Sequence, residues 1–162
     1  LSNFKGSRIL IIYGADVKKS KILYCPTLFR NTNFAKLILK HYSPDDINTY
    51  IPHERSKLDL LYLTYTDAHM YISWYIMTKC INRKESTQIL LNHGAKIQVN
   101  KGTTVFHVAC QECDIECIRV FMPYINDYIL NYKDRNGYTP LKYIIKNSSK
   151  YSKSLLREIL ES

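Results

Sequence analysis

The chain has 162 residues and a formal net charge of +9, with 46% hydrophobic and 12% aromatic residues. This apolar content is that of a folded protein, so a wholly disordered chain is excluded. No stretch approaches 18 consecutive apolar residues, and no apolar segment near the N-terminus precedes a small-residue cleavage site, so neither a membrane-spanning helix nor a signal peptide is predicted. The five cysteines lack the paired spacing of a disulfide framework, which favours a reducing compartment.

Two similar patterns mark the ends of predicted helices. The first helix covers residues 4–13 and runs into the turn Gly14-Ala15-Asp16-Val17, and residues 90–97 repeat this pattern. A glycine directly after a helix is typical of a left-handed cap. Because Leu1 is not methionine and the first helix has no partner helix before it, we expect the chain to begin inside a longer protein.

The middle of the chain carries further helical patterns and one irregular segment. Helices are predicted at residues 20–29 and 33–41, and Pro44-Asp45-Asp46-Ile47 takes the place of the first turn. A polar, exposed connection is predicted at residues 49–56. The aromatic residues that follow, including Trp74, have helical spacing, which favours packing in the core over a surface role. Three helical patches in this segment cover residues 58–65, 69–80 and 85–92.

The strongest local signals lie in the C-terminal part. Asp134 and Gly137 suit the tip of a tight hairpin, since glycine tolerates positive φ and aspartate can bond its own backbone two residues on. Thr139 then suits a helix cap and Pro140 the first helical turn. The helix that follows is too short to be stable alone, which implies neighbouring copies. The helices predicted in this part cover residues 104–112, 115–122, 141–146 and 154–161.

The implied copies are present. Residues 102–109 repeat the pattern of residues 137–144. The chain resembles the ankyrin repeat, which has a Thr-Pro-Leu-His helix start, a Leu-Leu-x-x-Gly-Ala helix end and an Asp-x-x-Gly hairpin. This resemblance implies an all-α solenoid of about four to five helix-hairpin-helix units in a single domain, residues 1–162. The units would cover residues 1–17 in part, 18–47, 48–97 with an insertion of about 17 residues, 98–130 and 131–162.

The composition and the irregularity of the repeats point to particular groups of ankyrin-repeat proteins. Lysine, asparagine, isoleucine and tyrosine are abundant, the repeats are uneven, and the first helices are rich in tyrosine. This combination resembles the ankyrin-repeat proteins of poxviruses, with the short basic ankyrin proteins of polydnaviruses, which resemble inhibitors of NF-κB, as the nearest rival. The poxviral resemblance implies a viral adaptor or decoy of the host-range type, which binds host antiviral or NF-κB-pathway proteins in the host cytoplasm or nucleus. A cullin ubiquitin ligase would be a partner only if a longer chain carried a C-terminal F-box-like segment.

Candidate partner-binding residues follow from the resemblance and from the irregular segment. In an ankyrin array, hairpin tips and the ends of first helices line the concave face, where we expect binding. The polar connection before the helical patches is a second candidate, because exposed connections often carry function. The candidates are Lys101, Thr103, Gln111, Glu112, Lys133, Arg135, Asn136, Tyr138, His53, Glu54 and Arg55.

One cluster has the ligand types of a zinc site. His107, Cys110, Cys113 and Cys117 follow one another at short spacings, and Zn²⁺ binds thiolate and imidazole. The repeat register places Cys110 at a small core position, Cys113 in the turn between two helices and Cys117 on an inner helix face. We therefore favour packing and predict neither a metal nor another cofactor. The ring of His107 is expected to bond the backbone of the neighbouring hairpin.

Catalysis and nucleic-acid binding find less support than protein binding. The chain has no glycine-rich phosphate loop, no nucleophile elbow and no His-Glu-x-x-His pattern, so an enzyme is not predicted. The basic run in the last unit is interrupted by Asn147-Ser148-Ser149, and no recognition motif with interleaved aromatics accompanies it. This favours a solvated face, then an acidic protein partner, and nucleic acid last. The run consists of Lys142, Lys146, Lys150, Lys153 and Arg157.

Overall fold

Short helices joined by turns make up the described part of the chain. The structure is a computed structural model, and it describes residues 2–20, 22, 31–48, 51–53, 56–58, 83–100, 102–147 and 157. The chain divides into two compact units, Leu1–Lys96 and Ile97–Ser162. No helix within the described ranges is long and apolar enough to span a bilayer.

The first unit places helices before and after a short hairpin. Helix α2 (Thr32–Leu39) contacts helix α4 (Arg83–Asn92), and the side chains of Ile38, Leu39 and Leu90 from these helices are completely buried. Strands β1 and β2 pair antiparallel, with Ile51 opposite Leu58. The described elements are α1 (Ser2–Ile12), α2 (Thr32–Leu39), α3 (Pro44–Asn48), β1 (Ile51–His53), β2 (Ser56–Leu58) and α4 (Arg83–Asn92).

Helices α1, α2 and α4 confirm the predictions for residues 4–13, 33–41 and 85–92 to within two residues at each end. The turn predicted at residues 44–47 is wrong, because these residues form the one-turn helix α3. Ser43 and Asp46 cap this helix reciprocally: the Ser43 amide donates to Asp46 Oδ2 at 2.8 Å, and the Asp46 amide donates to Ser43 Oγ at 3.2 Å.

The polar connection at residues 49–56 differs from the prediction as well. It contains β1, and Leu58, predicted to begin a helix, belongs to β2. In a two-stranded hairpin both strands are edges, so Pro52 is tolerated although it has no amide hydrogen to donate. Most of the helices predicted at residues 20–29, 58–65, 69–80 and 154–161, together with Trp74, lie outside the described residues.

Side-chain bonds to the backbone connect successive turns of the first unit. Gly94 has φ of 86°, as the helix-end pattern predicts, and a Cβ there would lie 2.9 Å from Cβ of Pro44. The side chain of Asn48 donates from Nδ2 to the Gly94 carbonyl at 2.8 Å and accepts at Oδ1 from the Lys96 amide at 2.7 Å. These bonds hold α3 against the turn that follows α4.

The second unit is a series of short capped helices. Thr104, Asp114 and Thr139 each accept a backbone hydrogen bond at a helix N-terminus, and Pro140 lies in the first turn of its helix as predicted. Helix α5 (Val105–Glu112) packs against both α6 (Ile115–Phe121) and α8 (Pro140–Lys146). The described elements are β3 (Val99–Asn100), β4 (Thr103–Thr104), α5 (Val105–Glu112), α6 (Ile115–Phe121), a 3₁₀ turn (Met122–Tyr124), α7 (Asp127–Asn131) and α8 (Pro140–Lys146).

Helix α7 was not predicted from the sequence. The sequence patterns predict no helix between residues 122 and 141. Instead Asn126 caps a one-turn helix by accepting from the Ile129 amide at 2.9 Å, and Asn131 Nδ2 donates back to the Asp127 carbonyl at 3.0 Å. Local capping by asparagine therefore stabilises a turn of helix before the hairpin.

The cysteines of this unit take the positions that the repeat register predicts. Cys110 and Cys117 are completely buried, and Cys113 is half-buried in the turn between α5 and α6. None of these three described cysteines forms a disulfide. Cys113 has φ of 60° and ψ of 34°, which makes it a non-glycine residue in the left-handed region.

Replacing Cys113 by glycine is expected to raise the free energy of unfolding by about 0.5–1 kcal/mol, because relief of left-handed strain exceeds the added freedom of the unfolded chain. Urea denaturation followed by circular dichroism measures the change. Glu112→Gly is the matched control: Glu112 is helical, so the same glycine should destabilise by about 1 kcal/mol. Equal destabilisation by both variants would contradict the strain argument.

Candidate functional site

A buried carboxylate fixes the tip of the hairpin before α8. Asp134 is 7% exposed, and its Oδ1 accepts from the amides of Asn136 at 2.8 Å and Tyr138 at 2.9 Å. Its Oδ2 accepts from the Tyr143 hydroxyl at 2.6 Å. Gly137 has φ of 75°, so both predictions for this tip are confirmed. The tip is thus held in one shape from inside, and its outer side chains remain exposed.

The electrostatics of this contact keep the aspartate charged. Burial alone would raise the pKa of Asp134, but the hydrogen bonds from Tyr143, Tyr138 and Asn136 outweigh it and hold the pKa below the ordinary 3.8. Burial and the neighbouring carboxylate raise the pKa of Tyr143. At neutral pH the pair is therefore a carboxylate and a phenol that donates to it.

Two bonds join successive repeats within the second unit. The Arg135 amide donates to the Gly102 carbonyl at 2.8 Å, which places one hairpin tip beside the other. At the far end of the helices, Asn147 Nδ2 donates to the Gln111 carbonyl at 3.1 Å. The two tips therefore lie side by side, and so do the C-terminal ends of α5 and α8.

The ring of His107 makes a third connection between the repeats. Its Nε2 lies 2.9 Å from the Tyr132 carbonyl oxygen, and its Nδ1 lies 2.7 Å from Thr104 Oγ1. Since a carbonyl can only accept, Nε2 carries the proton, and Nδ1 accepts from the threonine hydroxyl. The predicted bond to the neighbouring backbone is confirmed. Burial lowers the pKa of His107, which keeps the ring neutral.

The zinc alternative gains no support from this geometry. Both ring nitrogens of His107 are occupied by protein atoms, and burial raises the pKa of the Cys110 thiol, which disfavours the thiolate that zinc requires. Within the described ranges, no group of three histidine, cysteine or acidic side chains is placed to hold a metal ion. These side chains build the core and the connection between repeats.

The structure brings most of the predicted contact residues together. Gln111, Lys133, Arg135 and Asn136 are exposed in the second unit, and three further candidates, Thr103, Glu112 and Tyr138, are half-buried there. Of the others, His53 belongs to β1 in the first unit. Lys101, Glu54 and Arg55 lie outside the described residues.

Lys146, a member of the basic run in the last unit, was not among the predicted contact residues. Its Nζ lies 5.3 Å from the centroid of the Tyr138 ring, which joins α8 to the hairpin tip by a cation–π contact. Lys146 holds the register position in α8 that Gln111 holds in α5, so aligning the two repeats would have found it. We call the following set the tip surface: Thr103, Gln111, Arg135, Asn136, Tyr138 and Lys146.

Comparison with known proteins agrees with this architecture. A family model described as ankyrin repeats, in three copies, matches residues 75–161, just over half of the chain. A search of curated proteins gives no match. Ankyrin repeats generally mediate contacts between proteins, and the helical units joined by hairpin tips fit an all-α repeat fold. The chain belongs to the ankyrin-repeat family.

Proposed function

We propose that the protein acts as a protein-binding adaptor or decoy, which uses the tip surface of its second unit and carries out no catalysis. The observation that carries this proposal is the internal support of the tip: Asp134 accepts hydrogen bonds from two backbone amides of the hairpin and from the Tyr143 hydroxyl of α8, while Arg135 and Asn136 stay exposed. A surface that is rigid before binding loses little conformational entropy on association.

The shifted titratable groups of this unit support a binding role over a chemical one. Asp134, Tyr143 and His107 are all buried and hydrogen-bonded to protein atoms that define the fold. Cys110 is completely buried, and its pKa is raised, which is the opposite of an activated nucleophile. These groups stabilise the repeats, and the exposed residues around them are suited to contact a partner.

We further propose that this binding serves a virus inside its host. The support is the abundance of lysine, asparagine, isoleucine and tyrosine together with uneven repeats, as in poxviral ankyrin proteins. The partners would be host antiviral or NF-κB-pathway proteins in the cytoplasm or nucleus, engaged by about four to five repeat units. A cullin ubiquitin ligase would be a further partner only if a longer chain carried an F-box-like segment.

Reversing the charges of Lys133 and Arg135 to glutamate is expected to weaken capture of a host protein about tenfold or more without unfolding the chain, because both side chains are exposed. Affinity purification from host cells, with nuclease treatment, measures the capture. The matched control is Lys36→Glu with Arg119→Glu, which changes the net charge equally at exposed positions that do not belong to the tip surface. The control should bind as the wild type does.

Two results would contradict this function. Loss of binding in the Lys36/Arg119 control, with full binding in the Lys133/Arg135 variant, would place the contact elsewhere. Tight binding of duplex or single-stranded nucleic acid with a steep salt dependence, and no captured protein, would favour a basic nucleic-acid-binding repeat module instead.

A further inference from the structure

An excess of positive charge surrounds the tip surface. Lys133, Arg135, Lys142 and Lys146 are all exposed, and within the described residues none of the four forms an ion pair. Some cations elsewhere are paired: Lys18, for example, lies 2.8 Å from an Asp46 oxygen. The charges at the tip are therefore available to an outside partner.

The carboxylates of this region do not cancel that charge at the surface. Asp134 is buried, and both of its oxygens accept hydrogen bonds, one from the Asn136 amide of the hairpin and the other from the Tyr143 hydroxyl of α8. Glu112 is half-buried at the end of α5 and is the acidic member beside the tip surface in the described part of the chain. The exposed tip therefore presents four cations beside one partly exposed carboxylate.

The cations have a spacing that an extended peptide matches. Lys142 and Lys146 stand one turn apart on the same side of α8, a rise of about 6 Å. Alternate residues of an extended strand are about 6.6–6.8 Å apart. Lys146 reaches over Tyr138, which follows Arg135 within the same hairpin, so the row of charge continues from the helix to the tip.

The ring of Tyr138 argues against a nucleic-acid ligand. Lys146 lies over it, and Tyr143 packs against it edge-on, with ring centroids 5.5 Å apart. Sequence-tolerant binding of single strands relies on open aromatic faces on which bases stack. Here the ring is already engaged, whereas the exposed amide side chain of Gln111 can bond the backbone of a peptide.

We propose that the tip surface, with the flanking Lys133 and Lys142, binds an extended acidic segment of a partner protein that carries carboxylates at alternate positions. This inference rests on the proposed protein-binding function and adds the chemistry of the partner. Ion pairs with Lys142 and Lys146 would set the register of the segment, and Arg135 would bind a carboxylate with its planar guanidinium.

The test is selection from a random library of 12-residue peptides on the immobilised full chain. We expect the recovered peptides to be enriched in aspartate and glutamate. Fluorescence anisotropy then measures the affinity of a selected peptide for three proteins. These are the wild type, a tip variant that combines Arg135→Glu, Lys142→Glu and Lys146→Glu, and a control variant that combines Lys5→Glu, Arg8→Glu and Lys36→Glu. All six positions are exposed, so both variants should keep the wild-type circular dichroism spectrum.

The triple tip variant should lose about tenfold or more in affinity, and the control with the same charge change should stay within about twofold of the wild type. Recovery of peptides without acidic enrichment, failure to recover any peptide, or equal weakening in both variants would overturn the inference. The inference would also be overturned if a single-stranded oligonucleotide displaced the labelled peptide at a lower concentration than the unlabelled peptide does. Each of these results leaves the capture of a folded host protein, tested with the Lys133/Arg135 variant, as a separate readout of the proposed function.

Discussion

Replacing His107 by alanine is expected to lower the free energy of unfolding by about 3 kcal/mol. The ring is 1% exposed, packs edge-on against Tyr132 and Tyr143, and bonds Thr104 and the Tyr132 carbonyl. Alanine leaves a cavity and two unsatisfied polar groups, and it removes a bond that spans two repeats. The midpoint of urea denaturation, followed by circular dichroism, measures the loss at pH 7.

The same ring predicts a pH dependence of stability. Burial holds the pKa of His107 below 6.5, so below that pH the unfolded chain binds a proton that the folded chain does not. Stability should therefore fall as the pH drops from about 6.5 towards the lowered pKa. Well above pH 6.5 the ring is neutral in both states, so it should add no pH dependence to the free energy of unfolding.

His107→Gln is the matched variant for this effect, because it cannot titrate and its amide can still reach the Tyr132 carbonyl. It should lose less stability than the alanine variant at pH 7 and should show a smaller decline between pH 7 and 5. Identical declines in the wild type and the glutamine variant would show that other groups cause the acid effect. An alanine variant as stable as the wild type would remove the argument that this ring joins the repeats.

Replacing Asp134 by alanine is expected to cost about 2–3 kcal/mol, because the Tyr143 hydroxyl and two backbone amides lose a buried acceptor. The hairpin tip should also loosen, so the affinity of the tip surface for a partner should fall although no exposed side chain changes. Urea denaturation and partner capture on the same preparations measure the two effects.

Asp134→Asn separates hydrogen bonding from charge. Its side-chain oxygen can still accept from the amides of Asn136 and Tyr138, so it should lose only about 1 kcal/mol. The carboxylate has a lowered pKa, so its contribution to stability is present above pH 3.8 and is lost as the pH falls further. An alanine variant with unchanged stability and unchanged partner affinity would contradict the proposed support of the tip.

Local signals in the sequence were sufficient to predict the helices and the hairpin of the last repeats. Thr139 and Pro140 begin α8, and Asp134 and Gly137 form the preceding tip, because each acts on groups within about four residues of itself. The one-turn helix α3 depends on equally local bonds between Ser43 and Asp46, but its capping pattern stood where the repeat register suggested a turn. The prediction followed the repeat register and gave a turn, whereas the local capping pattern indicates the helix that the structure contains.

What the sequence by itself determined is the repeat family and the residues that cap, turn and fill each unit. Only the tertiary structure decided which residues share one surface. The bonds from Arg135 to Gly102 and from Asn147 to Gln111 join groups more than thirty positions apart, and Lys146 becomes part of the tip surface through the ring of Tyr138. Such contacts depend on how one repeat stacks on the next, a packing geometry that no pattern within a single repeat encodes.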